Sequence, residues 1–253
     1  RQSLVDKNTR EALEKWLQPA EVARSQGEAA ENLHENTGLW VFERPEYRDW
    51  IYRPSSLLWL HGISGCGKTI LSSSIIKTLR QRGEPLAYFY FDTNTSKQLT
   101  VSHLLCSLID QLSVQTSSPD MTLATLRRSY KGARDLPDSQ TLISKALIPI
   151  LIELTESAIY IVIDALDECS ERDKLLKSIA EITDAQLSGV HLLLTSRSDV
   201  PRLKGAISVS IQGWVDPDIK LYITDTLDEA DFAGWHPDRK KQIKVELLRQ
   251  SGG

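Results

Sequence analysis

Short apolar runs alternate with longer amphipathic stretches along most of this 253-residue chain. The runs are rich in β-branched and aromatic residues, which is typical of buried strands, whereas apolar positions three and four residues apart between them predict helices. The predicted strands are Leu57–Leu60, Leu86–Phe91, Ile159–Ile163, Val190–Thr195 and Ile207–Ile211. Buried strands that alternate with helices predict an α/β fold with a doubly wound parallel five-stranded sheet and flanking helices.

Helices are predicted between these strands and outside them. The predicted helices are Lys68–Arg82, Val101–Val114, Met121–Lys131, Ser139–Leu154, Glu171–Ile182, Asp216–Leu227 and Pro237–Arg249. At the start of the chain, Leu4, Leu13, Trp16 and Leu17 fall on one helical stripe that ends before Pro19. These outer elements predict an N-terminal helical segment and the start of a C-terminal helical subdomain.

Composition and charge narrow the function classes. The formal net charge is -4 and the pI is about 5.8, so the clustered basic surface that grips nucleic acid is not expected. Cys66, Cys106 and Cys169 are far apart and lack metal-ligand spacing, which favours a reducing, cytoplasmic location. Every apolar run is shorter than the roughly 18 residues that a membrane span needs, so no membrane span is expected.

A glycine-rich segment follows the first predicted strand and opens the first long helix. Its sequence from Gly62 to Thr69, GISGCGKT, matches G-x-x-x-x-G-K-[ST] in the strand-loop-helix context that this motif needs. Gly65 and Gly67 allow backbone N–H groups to turn towards phosphate at the positive end of a helix. Lys68 is predicted to contact the β and γ phosphates, and the Thr69 hydroxyl to complete the coordination of Mg²⁺.

The full set of predicted contacts in this loop is wider than the motif's charged and hydroxyl residues. It comprises Ser64, Gly65, Cys66, Gly67, Lys68, Thr69 and Ile70. Cys66 leaves an alternative open, because a thiol at a helix N-terminus can be redox-sensitive. We favour the interpretation that Cys66 contributes mainly its backbone N–H.

A cluster of acids follows the third predicted strand in the sequence IYIVIDALDEC. Asp164 ends the strand at the carboxyl edge, where open α/β sheets bind ligands, and is predicted to hold Mg²⁺ through water. Ala165 is small and leaves room there. One of the next two acids, Asp167 or Glu168, is predicted to orient or deprotonate the attacking water. We favour Glu168 for that role.

An arginine follows the fourth predicted strand in the sequence HLLLTSRSD. Parallel strands end at the same edge of a sheet, so Arg197 is expected close to the acids. A guanidinium there can detect or stabilise a γ-phosphate through a bidentate contact. The alternative is an exposed arginine at a strand exit with no ligand.

These motifs together resemble those of one family. The segments TGLW, EYRDW, LWLHGISGCGKTILSSSII, IVIDALDEC, LLLTSRS and VDPDIKLYI are similar to those of NACHT domains, which belong to the STAND class of P-loop NTPases. Such domains are common in fungal NOD-like receptors, and the chain is close to the nephrocystin-3-like N-terminal domain. The resemblance covers nearly the whole chain. It implies that Thr37 and Gly38 lie against the base of a nucleotide.

The resemblance also implies an organisation in three parts. Residues 1–53 would be an N-terminal helical linker with the base-contacting loop, 54–213 the P-loop nucleotide-binding domain, and 214–253 the beginning of a truncated helical subdomain. The effector and sensor-repeat domains of such receptors would then lie outside this chain.

The function implied is that of a switch with weak nucleoside-triphosphate phosphohydrolase activity. The diphosphate form is closed, and exchange to triphosphate allows self-association of the full-length immune or incompatibility-type receptor. The implied cofactors are Mg²⁺ with ATP or ADP, and GTP or GDP stays open as an alternative. A second hypothesis is a constitutive P-loop NTPase or small-molecule kinase. Kinases of that type usually have an arginine-rich lid over the phosphates. The only comparable stretch in this chain, TLRRSYKGARDL, lies between the second and third strands, which makes it a weak match.

Overall fold

Five parallel strands form the central sheet of the computed structural model, which describes residues 7–93, 100–117, 121–129, 136–200 and 203–251. The strands are β1 (Ser56–His61), β2 (Leu86–Tyr90), β3 (Ile159–Asp164), β4 (Val190–Ser196) and β5 (Ile207–Ser210). Their order across the sheet is β2-β3-β4-β1-β5, and every pairing is parallel. The predicted fold class is therefore confirmed, with strand ends close to the predicted bounds.

Helices surround this sheet. They are α1 (Lys7–Leu17), α2 (Val22–Glu31), α3 (Trp40–Glu43), α4 (Pro45–Tyr52), α5 (Lys68–Arg82), α6 (Val101–Ser113), α7 (Met121–Ser129), α8 (Ser139–Leu142), α9 (Ile148–Leu154), α10 (Arg172–Asp184), α11 (Asp216–Asp228) and α12 (Pro237–Ser251). The last two predicted residues of α7, 130 and 131, and Leu4 of the first stripe lie outside the described residues. Among the described helices, each is too short or too polar to cross a membrane.

The predicted continuous helix Ser139–Leu154 is wrong in its middle. A π-helical segment, Ile143–Leu147, joins α8 to α9, and Ile148 N donates to Ile143 O in the wider pattern. The cause is Pro149, which has no N–H for an α-helical bond to Lys145 O and whose ring would press on that carbonyl. A π-turn widens the helix at this point and relieves both problems.

Topology decides which loops meet at the site. The crossover from β1 to β2 runs in the opposite direction across the sheet to those from β2 to β3 and from β3 to β4. Since such crossovers are right-handed, α5 covers one face and the α6–α10 helices cover the other. Strand β4 lies between β1 and β3, so the carboxyl end of β4 stands between the glycine-rich loop and the acids after β3.

The N-terminal helices belong to the same core as the sheet. Leu13, Leu17 and Trp50 are fully buried in the cluster that also contains the β-strand side chains. Helix α1 packs on α6 and α7, whereas α2 packs on α5 and β2, so this segment passes around the edge strand β2. The buried side chain of Gln26 donates to Ser73 Oγ at 3.0 Å and accepts from the Tyr90 hydroxyl. These contacts fix the segment that leads to Thr37 and Gly38.

Candidate nucleotide-binding site

The glycine-rich loop turns sharply between β1 and α5. Gly65 and Gly67 have φ of 78° and 83°, a left-handed region that side chains other than glycine rarely adopt. A Cβ at either position would meet nothing within 4 Å, so the backbone conformation, rather than space, requires glycine. The loop therefore curls over the N-terminus of a 15-residue helix, where unpaired N–H groups and the helix dipole favour an anion.

Lys68 lies across this loop. Its Nζ donates to Gly62 O at 2.9 Å and to Ile63 O at 2.7 Å. Cys66 is buried in the same turn, and its Sγ donates to Ile63 O at 2.8 Å. Phosphate oxygens would be stronger acceptors for the ammonium group than these carbonyls. The packed thiol fits the interpretation that Cys66 shapes the loop and offers its backbone N–H.

Asp164 is the buried centre of the phosphate side, with a relative exposure of 2%. Thr69 Oγ1 donates to Oδ2 at 2.7 Å, and Ser72 Oγ and Thr195 Oγ1 donate to Oδ1 at 2.8 and 2.6 Å. Burial raises the pKa of Asp164, against the opposing effects of these three hydroxyls and of the Lys68 charge. The paired hydroxyl and carboxylate oxygens of Thr69 and Asp164 are the hard donors that Mg²⁺ prefers.

The two acids after Asp164 have different partners. Asp167 accepts from Arg197 N through Oδ1 at 2.9 Å and pairs with Arg197 Nε through Oδ2 at 2.9 Å. Glu168 Oε2 accepts from Thr93 N at 3.2 Å. Partial burial is the main cause that raises the pKa of Glu168, and the neighbouring acids add to it. Asp167 therefore anchors Arg197, while Glu168 has the raised proton affinity that a base needs.

Arg197 has one side of its guanidinium engaged and one side open. The Nε atom contacts Asp167, and the side chain is 54% exposed. Within the described residues its Nη groups make no hydrogen bond, so they are available to an anion. A cavity of about 260 Å³ collects these groups and is called the phosphate-side cavity. It is lined by Ser64, Gly65, Gly67, Lys68, Thr69, Asp164, Ala165, Asp167, Glu168 and Arg197.

A second cavity of about 380 Å³ lies on the other side of the loop and is called the base-side cavity. It is lined by Asn32, His34, Thr37, Gly38, Trp40, Gly65, Cys66, Gly67, Ile70, Leu71, Val215, Asp218, Ile219 and Tyr222. Gly65 and Gly67 line both cavities. The predicted residues Thr37, Gly38 and Ile70 are thus brought together here, next to the loop that would hold phosphates.

Helix α11 supplies a wall of the base-side cavity that the sequence did not predict. Asp218 Oδ2 accepts from Gly38 N at 2.9 Å and from Trp40 Nε1 at 3.2 Å, across 180 residues of chain. Burial raises the pKa of Asp218, against these two hydrogen bonds. Gly38 itself has φ of 73°, and a Cβ there would stand 3.2 Å from Leu71 Cδ1. The contact therefore needs glycine in the loop and an acceptor on the helix.

The contact between residues 32–40 and helix α11 is called the seam. Aromatic side chains lie at its outer end. Trp40 and Trp214 stack with centroids 5.8 Å apart at an interplanar angle of 22°. The Arg44 guanidinium lies 4.3 Å from the Trp214 ring, and Tyr222 meets His34 edge to face at 5.5 Å. The sequence offered two signals for this wall: the segment VDPDIKLYI, which carries part of the family resemblance, and the acid-rich start of α11, which alone indicates a favourable helix N-terminus.

Comparisons with known proteins place the chain in a family. The Nephrocystin 3, N-terminal family matches residues 36–197, more than half of the chain. Vegetative incompatibility protein HET-E-1 of Podospora anserina is 28% identical over 174 residues, which are 66% of this chain and 12% of that protein. The chain thus spans a small part of the length of that relative.

Solved structures with similar folds are more distant. A signal transduction ATPase with numerous domains and a tetratricopeptide repeat sensor, from Pyrococcus horikoshii, has a TM-score of 0.48 and 12% identity, covering 84% of this chain and 28% of that one. Replication initiator DnaA bound to AMPPCP and single-stranded DNA has a TM-score of 0.47 and 12% identity, covering 88% and 62%.

The family match includes the loop from Thr37, the glycine-rich motif, the acids after β3 and Arg197. The resemblance predicted from the sequence is therefore confirmed: the chain belongs to the Nephrocystin 3, N-terminal family and is a NACHT-like nucleotide-binding P-loop domain.

Proposed function

We propose that the chain is a nucleotide-dependent switch that binds ATP or ADP with Mg²⁺ and hydrolyses the triphosphate slowly. The observation that carries this proposal is the meeting of two cavities at Gly65 and Gly67. One cavity holds an ammonium, a guanidinium and oxygen donors, which suit phosphates and Mg²⁺. The other is largely apolar and aromatic, which suits a base.

Each residue on the phosphate side has a distinct proposed role. Lys68 would exchange its carbonyl partners for β and γ phosphate oxygens, and Thr69 and Asp164 would hold Mg²⁺, the latter through water. The ion, when bound, would neutralise phosphate charge. Glu168 would orient or deprotonate the attacking water, and the open side of Arg197 would contact the γ-phosphate.

Slow turnover is supported by the partners of the two groups nearest to this chemistry. Glu168 accepts from Thr93 N, and Arg197 is held by Asp167. Glu168 would have to release Thr93 N before it acts on the attacking water, whereas Arg197 would keep its contact with Asp167 and offer only its Nη groups to the γ-phosphate. A resting site in which the proposed base is engaged elsewhere fits a switch better than a rapid enzyme.

The wider biological role rests on the relative's name and on the family. We propose that the parent protein is an incompatibility-type or immune receptor that self-associates in its triphosphate form. The division at residues 53 and 213, the cytoplasmic location, the absence of nucleic-acid binding, and the effector and sensor-repeat partners stay predictions. GTP with GDP stays the alternative nucleotide pair.

The kinase alternative finds no support from the described arginines. Arg127 and Arg128 lie on α7, which packs on α1 and on the π segment, and neither lines the phosphate-side cavity. The rest of that stretch, residues 130–135, lies outside the described residues.

The test of the switch is the nucleotide released when the purified protein is denatured, identified by ion-pair chromatography, with hydrolysis rates measured in added ATP and GTP. We expect a co-purified diphosphate and turnover well below the roughly 10 s⁻¹ that is usual for enzymes. The released base identifies the nucleotide. Fast turnover with an empty site would contradict the switch and favour a constitutive NTPase.

A further inference from the structure

Thr195 lies at the end of β4 with its side chain fully buried. Its hydroxyl makes two contacts at once. Oγ1 donates to Asp164 Oδ1 at 2.6 Å and accepts from Ala165 N at 2.9 Å. A hydroxyl has one proton to donate and two lone pairs that accept, so Thr195 can donate to the carboxylate and accept from the amide at the same time.

The position of Thr195 follows from the strand order. Because β4 lies between β1 and β3, its end stands beside both the glycine-rich loop and the acid turn. Ala165 has φ of 58° and ψ of 49°, a left-handed conformation that is unfavourable for alanine. The bond from its N–H to Thr195 helps to hold that conformation, which directs the turn Leu166–Glu168.

We propose that Thr195 is a positioning residue for the magnesium-nucleotide complex. Its hydroxyl fixes one oxygen of Asp164, so that the other oxygen, which Thr69 contacts, faces the site of the ion. Through Ala165 the same hydroxyl sets the start of the turn that carries Glu168. This inference rests on the proposed function.

Ser72 has a related but smaller role. Its Oγ donates to the same Asp164 oxygen at 2.8 Å from the second turn of α5. Ser72 does not contact Ala165 N. A Ser72 variant therefore changes the support of Asp164 without changing the support of the turn that begins at Ala165. Partners that orient a metal-holding group commonly change metal affinity about 10- to 100-fold when they are removed.

The test is the affinity for ADP, measured by isothermal titration calorimetry with Mg²⁺ and again with EDTA. The ratio of the two dissociation constants gives the gain in affinity due to Mg²⁺. Thr195→Val keeps the shape of the side chain and removes the hydroxyl, and we expect the gain to fall about tenfold. Thr195→Ser restores the hydroxyl and should restore most of the gain.

Ser107→Ala is the matched control. Ser107 is a buried hydroxyl on α6 that lines neither cavity, and it accepts from Ala20 N at 2.9 Å. This variant also leaves a buried backbone N–H without an acceptor, so it should lower thermal stability with an unchanged gain from Mg²⁺. A Thr195→Val protein that loses stability but keeps the wild-type gain would overturn the proposal.

Two further outcomes are informative. If Thr195→Val does not fold, Ser72→Ala decides, because it removes the other hydroxyl from the same carboxylate oxygen. A reduced gain supports hydroxyl positioning of Asp164, and an unchanged gain overturns it. If the wild-type protein binds ADP in neither condition, the proposed function itself is contradicted, and the role of Thr195 falls with it.

Discussion

The phosphate-side and base-side cavities meet at two glycines but are built in different ways. The phosphate side uses loops that leave the carboxyl ends of adjacent parallel strands, and its central carboxylate is buried. The base side joins residues 32–40 to helix α11, and Tyr222 and Trp214 at its rim are about half exposed. Rigid strand ends suit charge and metal chemistry, whereas a seam between a loop and a helix suits opening and closure.

From this difference we expect that mutations can separate the rate of hydrolysis from the affinity for the nucleotide. Variants on the phosphate side should alter hydrolysis or the response to phosphate charge. Variants of the seam should alter affinity for triphosphate and diphosphate alike, because they change the walls around the base.

The largest expected effect is on the rate of hydrolysis in Glu168→Gln. Removing a general base usually slows the chemical step by about 10²- to 10⁴-fold, and we expect a loss of at least about 100-fold with ADP affinity unchanged. Single-turnover hydrolysis of radiolabelled ATP measures the rate. Asp167→Asn is the companion variant, since Asp167 holds Arg197. A greater loss in Asp167→Asn, with normal hydrolysis in Glu168→Gln, would reverse the assignment of the base.

Lys68→Ala is expected to have the largest effect on affinity. The ammonium group would make charge-assisted hydrogen bonds to the β and γ phosphates of ATP but only to the β phosphate of ADP. Each such bond contributes about 1.5–3 kcal/mol, so binding should weaken by at least about 100-fold for ATP and at least about tenfold for ADP. Calorimetry measures both. Lys77→Ala removes an exposed lysine from the same helix and should bind normally. Equal affinities in the wild type and Lys68→Ala would remove the phosphate-loop assignment.

Asp218→Ala should have an intermediate effect on affinity. It leaves Gly38 N and Trp40 Nε1 without their acceptor, at a cost of about 1–3 kcal/mol for a buried donor. We expect about a tenfold loss for ATP and ADP alike, measured by calorimetry. Asp216→Ala removes an acid from the same helix turn and is the control. A loss confined to ATP would place Asp218 on the phosphate side of the comparison and contradict its proposed place in the seam.

The phosphate side was predictable because each of its segments directly follows a strand that the local sequence pattern predicts. The hydrophobic period and the motif place Gly62–Thr69, Asp164 and Arg197 at the ends of predicted parallel strands, and these ends all lie at one edge of the sheet. The partner of Arg197 was not predictable, since the choice between Asp167 and Glu168 depends on the geometry of a three-residue turn. Thr195 was recognised only as a strand end, because a hydroxyl has no motif that reveals which buried carboxylate it contacts.

The base side was predictable only through resemblance. Thr37 and Gly38 have no spacing that indicates a base, and the acids at the start of α11 suit any helix N-terminus. The contact of Asp218 with Gly38 depends on how α11 packs after the whole sheet has formed. The π segment was missed for a related reason, since Pro149 permits either a kink or a widened turn and packing decides between them.

Trp214→Ala has the smallest expected effect. It tests whether the aromatic contacts at the outer end of the seam contribute to nucleotide affinity. Trp214 stacks on Trp40, and its ring makes a cation–π contact with Arg44. It does not line the base-side cavity. Exposed stacking and cation–π contacts contribute about 0.5–1 kcal/mol, so nucleotide affinity should fall about two- to fivefold in calorimetry. Trp235→Ala is a matched control, because Trp235 packs on Phe232 and Arg239 outside both cavities. If Trp214→Ala lost more nucleotide affinity than Asp218→Ala, the aromatic stack, rather than the Asp218 carboxylate, would be what holds residues 32–40 on α11.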